Sequence, residues 1–128
     1  MTAGTVWANS DPAEMTAPSR AASQAEWSAF SGRLVEALKG DHEGFQQAAL
    51  QHVIQYRDNV NVDKAAFDIV SIYRNHTDDN MRRMAVVALG AMDNRWAMDY
   101  LQRAEGFEKS DAVKATIHAV LAQYHRAA

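Results

Sequence analysis

FQQAALQHVIQY (residues 45–56), MRRMAVVALGAM (81–92) and VKATIHAVLAQY (113–124) align without a gap. Phe45, Met81 and Val113 share one register, Ala49, Ala85 and Ile117 the next, then Val53, Leu89 and Leu121, and finally Tyr56, Met92 and Tyr124. Apolar residues three and four apart mark one face of a helix. The segments are offset by 36 and 32 residues, and an acidic residue stands two places before each, at Glu43, Asp79 and Asp111. A carboxylate in the first turn meets the positive end of the helix dipole. Three acid-started amphipathic helices in one register predict a helical repeat.

The chain around these segments follows the same spacing. A first helix is expected over about 24–39, with Trp27, Phe30, Leu34, Val35 and Leu38 on one stripe and a stop at Lys39-Gly40. The second should start near Asp41 and run to about Arg57, with His52 and Tyr56 facing inward beside Phe45, Ala49 and Val53. After Asn59-Val60-Asn61, a third covers about 62–75 and presents Ala66, Ile69, Val70 and Tyr73. Thr77-Asp78-Asp79 caps a fourth over about 79–92, with Met81, Ala85, Ala88, Leu89 and Met92 inside. Asp93-Asn94 leads into a fifth, about 95–105, carrying Trp96, Ala97, Tyr100, Leu101 and Ala104. Ser110-Asp111 caps the last, which buries Val113, Ile117, Val120, Leu121 and Tyr124. Nowhere does strict alternation last for a strand's length, so the chain reads as all-α with six helices.

At DDNMRRMAVVALGAMDNRWAMDYL (78–101) the sequence resembles the HEAT-repeat family: an acidic cap, Met81-Arg82 in place of Val-Arg, Ala88-Leu89-Gly90, and Asp93 at the turn. The outer repeats carry Phe45-Gln46 and Val113-Lys114 at the Val-Arg position and lack Ala-Leu-Gly. The resemblance spans about residues 24–126 and implies a right-handed α-solenoid of about three helical hairpins. In such a fold neighbouring pairs stack because one pair cannot bury its stripe alone. Small residues, among them Ala49, Ala85, Ala88, Gly90 and Ala119, suit close helix approach. The resemblance also implies a structural role for Arg82, reaching an acidic turn of a neighbouring repeat, with Asp78, Asp79 and Asp93 as candidate partners.

Composition narrows the chemistry. The 128 residues include 48% hydrophobic and 23% charged residues, which fits one globular domain. The absence of Cys removes disulfides, thiolate metal sites and cysteine nucleophiles. With 13 basic against 16 acidic residues, the net charge of −3 gives no overall attraction for nucleic acid or an anionic membrane. No apolar run approaches the roughly 18 residues of a membrane span. Residues 1–23 hold both prolines and no amphipathic periodicity, so they read as an N-terminal tail preceding a repeat domain at 24–128. Val6-Trp7-Ala8 before Asn9 fits a signal-cleavage site, but a basic n-region is missing. A disordered arm and the remnant of an export signal stay open, and with them a cytoplasmic, periplasmic or secreted location.

Each candidate for chemistry has a plainer reading. His42-Glu43 resembles the His-Glu pairs of iron-binding HEAT hydroxylases, but it occurs once, at a helix start, and reads as a cap. His118 and His125 lie two turns, or about 10 Å, apart on one helix, too far to share an ion. His52 reads as a hydrogen-bonded histidine bordering the core. Asn59, Asn61 and Asp63 imitate the start of a calcium loop, but Lys64 stands where that loop needs Gly and Val70 where it needs Glu. Arg82, Arg83, Arg95 and Arg103 concentrate positive charge in the manner of HEAT-like DNA glycosylases. Phosphate binding needs several uncompensated cations, and the acids Asp58, Asp63, Asp68, Asp78 and Asp79 precede them. Trp27, Trp96, Tyr56, Tyr73, Tyr100 and Tyr124 sit at core spacing. The methionines at 81, 84, 92 and 98 would suit either a core or an adaptable groove.

No catalytic residue, cofactor or metal site is expected. The favoured function is a non-catalytic protein- or peptide-binding module, whose partner lies along the second helices of the pairs. The positions left outside the core there are Gln47, Gln51, Gln55, Arg83, Val87, Lys114 and His118. The alternative is a structural or self-associating unit in which Leu50, Ile54 and Val87 seal a homodimer; the expected state is a monomer or weak homodimer. Nucleic-acid binding and a cryptic enzyme using His52 or His118 rank below both.

Overall fold

The computed structural model describes residues 15–127. Among these the chain forms six α-helices and one short 3-10 turn, with no strand. The helices are α1 (Gln24–Lys39), α2 (Glu43–Gln55), α3 (Ala66–Asn75), α4 (Asp79–Ala91), α5 (Arg95–Glu105) and α6 (Asp111–Ala127), with the 3-10 turn at Asp63–Ala65 ahead of α3. All six expected helices are present.

Local chemistry sets their starts. Ser23 and Glu26 close a reciprocal capping box on α1. Asp78 accepts from the Asn80 N–H at the start of α4, and Asn94 from the Ala97 N–H at the start of α5. At α6 the Ser110 hydroxyl accepts from the Val113 N–H. The second helix starts later than Asp41: its cap is His42, whose Nδ1 accepts from the Phe45 N–H while the two rings lie 4.3 Å apart. The third also starts later than expected, because Asn61 folds back to accept from the Asp63 N–H and Val62 is drawn into the core. α1 stops at Lys39-Gly40 as expected, with Gly40 in extended backbone.

Within each pair, α1 packs on α2, α3 on α4 and α5 on α6; across pairs, α2 packs on α4 and α4 on α6. α4 also meets α5, so it has neighbours on four sides. It accordingly buries Val86 and Ala91 as well as the expected Met81, Ala85, Ala88 and Leu89. Gly90 marks the closest approach. A Cβ built there would lie 2.6 Å from a Val120 methyl on α6, so the two helices meet at a distance that excludes a side chain. The turn after α4 is equally specific, with Asp93 in left-handed backbone at φ 54°.

Three expectations about burial are corrected. Leu50 is fully buried, because α2 is covered on two sides, and cannot seal a dimer. Trp96 is 42% exposed and stacks on the exposed Phe67, a surface position despite its core spacing. The stretch read as a tail is packed in part: Met15 is buried, and its carbonyl oxygen lies 2.7 Å from His52 Nε2. The Val6-Trp7-Ala8 reading lies outside the described residues. No helix among the described residues is long and apolar enough to cross a membrane.

Candidate binding groove

The second helices leave a groove of about 540 Å³ between them. Ile54 of α2 and Arg57 of the turn after it form one wall, α4 contributes Arg83, Val87, Gly90 and Ala91, and α6 contributes residues between Ala115 and Ala127. Small side chains make the floor. Gly90, Ala91, Ala115 and Ala119 all line it, so the close packing that joins α4 to α6 also hollows the surface above them. Arg83 crosses this floor: its Nε donates to Thr116 Oγ1 at 3.0 Å, and that hydroxyl donates to the Ala112 carbonyl. The guanidinium is thus held by neutral groups and keeps its charge available. Asp93 stands at the rim and supplies the opposite sign.

Of the seven residues singled out by sequence, the groove brings together Arg83 and Val87. Gln47, Gln51, Gln55, Lys114 and His118 are all exposed but do not line it. The repeat alignment itself explains the α6 difference. Arg83, Val87 and Ala91 share registers with Ala115, Ala119 and Gln123, all of which line the groove, whereas Lys114 and His118 share registers with Arg82 and Val86. One residue along a helix turns the side chain by about 100°, enough to leave the groove. His118, in the register of the buried Leu50 and Val86, is instead largely solvent-exposed and pairs with Glu105 at 3.1 Å. No further helix covers that face among the described residues.

A second cluster, outside the groove, centres on Arg82. Its Nη1 and Nη2 bind the two oxygens of Glu108 at 3.1 and 2.6 Å, its Nε donates to the Tyr73 carbonyl, and the guanidinium lies over the Tyr73 ring. The Tyr73 hydroxyl and the Ser110 N–H also donate to Glu108. The reach to a neighbouring pair's turn is as expected, but the partner is corrected. Glu108, in the turn before α6, is the main partner; of the expected acids Asp79 forms a second, longer ion pair at 3.5 Å, whereas Asp78 caps α4 and Asp93 forms the next turn. Burial pushes the Glu108 carboxyl up, yet the hydrogen bonds from Arg82, Ser110 and Tyr73 outweigh it and hold the group at about 2. Burial, then the bond to Glu108, raises the Tyr73 phenol well above 10.0. The bonds to Glu108 keep Arg82 charged against its own burial. Glu108 was absent from the candidates because nothing local distinguishes it from other turn acids.

The histidines separate. His42 is a cap, and His76 pairs with Glu43 at 2.9 Å. His52 faces the Met15 carbonyl through Nε2, which fixes Nε2–H as the donor and leaves Nδ1 buried without a hydrogen-bond partner among the described residues. His52 thus borders the core through a hydrogen bond, but to backbone and not to a carboxylate. Among the described residues no three His, Asp or Glu side chains are grouped to hold a metal ion. Asn61 and Asp63 are tied into turns, with Asp63 Oδ1 also accepting from Asn94.

No protein-family model matches the chain, and neither the curated proteins nor the solved structures yield a match to it.

Proposed function

We propose that the protein is a non-catalytic binding module, a small HEAT-like right-handed solenoid that holds a protein segment along the groove of its second helices. One observation carries this reading: an open apolar trough crosses three packed helices, and Arg83 lies along its floor with no acidic partner among the described residues. A trough of this form suits an extended apolar segment with an acidic group for Arg83, and gives little enclosure to a small reacting substrate. The repeat registers at 45–56, 81–92 and 113–124 and the stacking of α2 on α4 on α6 support the solenoid assignment.

The test is photo-crosslinking in cells from benzoylphenylalanine placed at position 87, with the same group at position 47 as the control outside the groove. The module reading expects a defined adduct from position 87 that disappears with Arg83→Glu. Adducts formed equally from both positions would overturn it, and adducts solely with a second copy of the chain would replace it with the self-associating unit.

A further inference from the structure

On the first helices of the pairs, α3 and α5 are bridged by rings. Phe67 stacks on Trp96 with ring centres 5.6 Å apart and planes 17° apart; Trp96 leans on Tyr100 at 6.2 Å; and Tyr100 meets Tyr73 edge-on at 6.4 Å. The ladder opens into a cleft of about 390 Å³ lined by Tyr73, Arg74, Arg82, Tyr100, Arg103 and Phe107, with Ala104 at its base. It shares no residue with the groove of the second helices. Phe67 is 73% exposed, Phe107 85% and Trp96 42%, a concentration of exposed apolar rings on one seam. Large exposed apolar patches rimmed by polar groups mark interaction surfaces, and Trp, Tyr and Arg dominate the energetic centres of interfaces.

Charge says what covers it. Arg82 is neutralised by Glu108, but neither Arg74 nor Arg103 makes an ion pair or a side-chain hydrogen bond among the described residues. Along α5, Glu105 stands two residues after Arg103 but pairs with His118 at 3.1 Å, and Asp99, one turn before Arg103, makes no ion pair among the described residues. The cleft therefore keeps two uncompensated guanidinium groups at the end of an aromatic ladder. Single-stranded nucleic acid also combines stacking with cations, but it needs a track of positive charge. Here the free cations are two, Arg74 and Arg103, gathered in one cleft at the end of the ladder and not along a track. About 10 Å of helix separates Phe67 from Arg74, the length of about three residues of extended chain. We infer that the seam between α3 and α5 is a second docking surface, for an acidic peptide segment that sets an aromatic or aliphatic anchor on the ladder and places carboxylates in the Arg74–Arg103 cleft.

The test uses the full chain and a set of fluorescein-labelled peptides. Each carries one Trp or Leu anchor and a pair of Glu residues, with the spacing between them varied; Gln-for-Glu counterparts and an oligothymidine of similar length are the controls. Fluorescence anisotropy should show saturable binding of an acidic peptide, weakened roughly tenfold by the Gln exchange, by Arg74→Glu with Arg103→Glu, and by the exposed-site change Trp96→Ala. Arg83→Glu, in the other groove, should leave it unchanged. Amide shifts on adding the peptide to the 15N-labelled protein should map to α3, α5 and Phe107. No binding by any peptide up to about 1 mM, a range that covers weak peptide contacts, overturns the inference. Binding indifferent to the arginine reversals, shifts confined to α4 and α6, or tighter binding of oligothymidine would do the same. Circular dichroism of each variant separates lost binding from lost fold.

Discussion

Glu108 joins three elements through one carboxylate: Arg82 from α4, Tyr73 from α3 and the Ser110 N–H at the start of α6. Its carboxyl is held at about 2 against an ordinary 4.5, so its stabilising contribution is complete above pH 4.5 and is lost as pH falls toward 2. A shift of that size corresponds to stability on the order of 3 kcal/mol. Urea unfolding between pH 6 and 2.5 should show a loss in that window, and Glu108→Gln should flatten it. The same variant leaves the Arg82 cation buried without its partner and should cost roughly 3 kcal/mol at pH 7. At the alkaline end the sign reverses in cause: the Tyr73 phenol is raised, so the unfolded chain ionises first and stability falls as pH rises above 10.0. Asp93 offers a separate test. Its φ of 54° strains an L residue, so Asp93→Gly should gain about 0.5 to 1 kcal/mol and Asp93→Val should lose at least as much, read from thermal midpoints.

At the scale of elements, the α4–α6 contact depends on the missing side chain of Gly90. Alanine would ordinarily favour a helix interior by about 1 kcal/mol. At position 90 its methyl would meet Val120, whose β-branched side chain has one strongly preferred rotamer in a helix. Gly90→Ala should therefore destabilise by about 1 to 2 kcal/mol, and Val120→Ala added to it should restore stability to or above that of the parent. Additive losses in that double-mutant cycle would show that the contact is looser than described. The starts of α4, α5 and α6 were legible because Asp78, Asn94 and Ser110 are local signals whose side chains bond backbone two or three residues away. The start of α2 was not: His42 caps with a ring nitrogen, a use that depends on its packing against Phe45.

Across the whole molecule, the N-terminal stretch belongs to the first pair. Met15 is buried, and the His52 ring it meets packs among Phe30 and Tyr56. A chain starting at Gln24 should lose about 2 to 3 kcal/mol relative to one starting at Met15, through the lost burial of Met15 and the orphaned His52 Nε2–H. Equal thermal midpoints for the two would show that this stretch adds nothing to the fold. The sequence alone determined the helices, their shared registers and most of the core, because a period near 3.6 and local caps are written in neighbouring residues. It also indicated Arg83 and Val87 through the register that places both outside the α4 core. Only the tertiary structure decided which exposed positions meet. The groove forms where α6 approaches Gly90, which turns Lys114 and His118 away and admits Ala115 and Ala119. Trp96 has core spacing yet lies on the surface, since α3 and α5 are joined through a layer of rings. Glu108 could be recognised only once folding had brought it 26 residues back along the chain to Arg82. Burial and pairing at such separations depend on how helices stack, and no window of sequence the length of one helix contains that information.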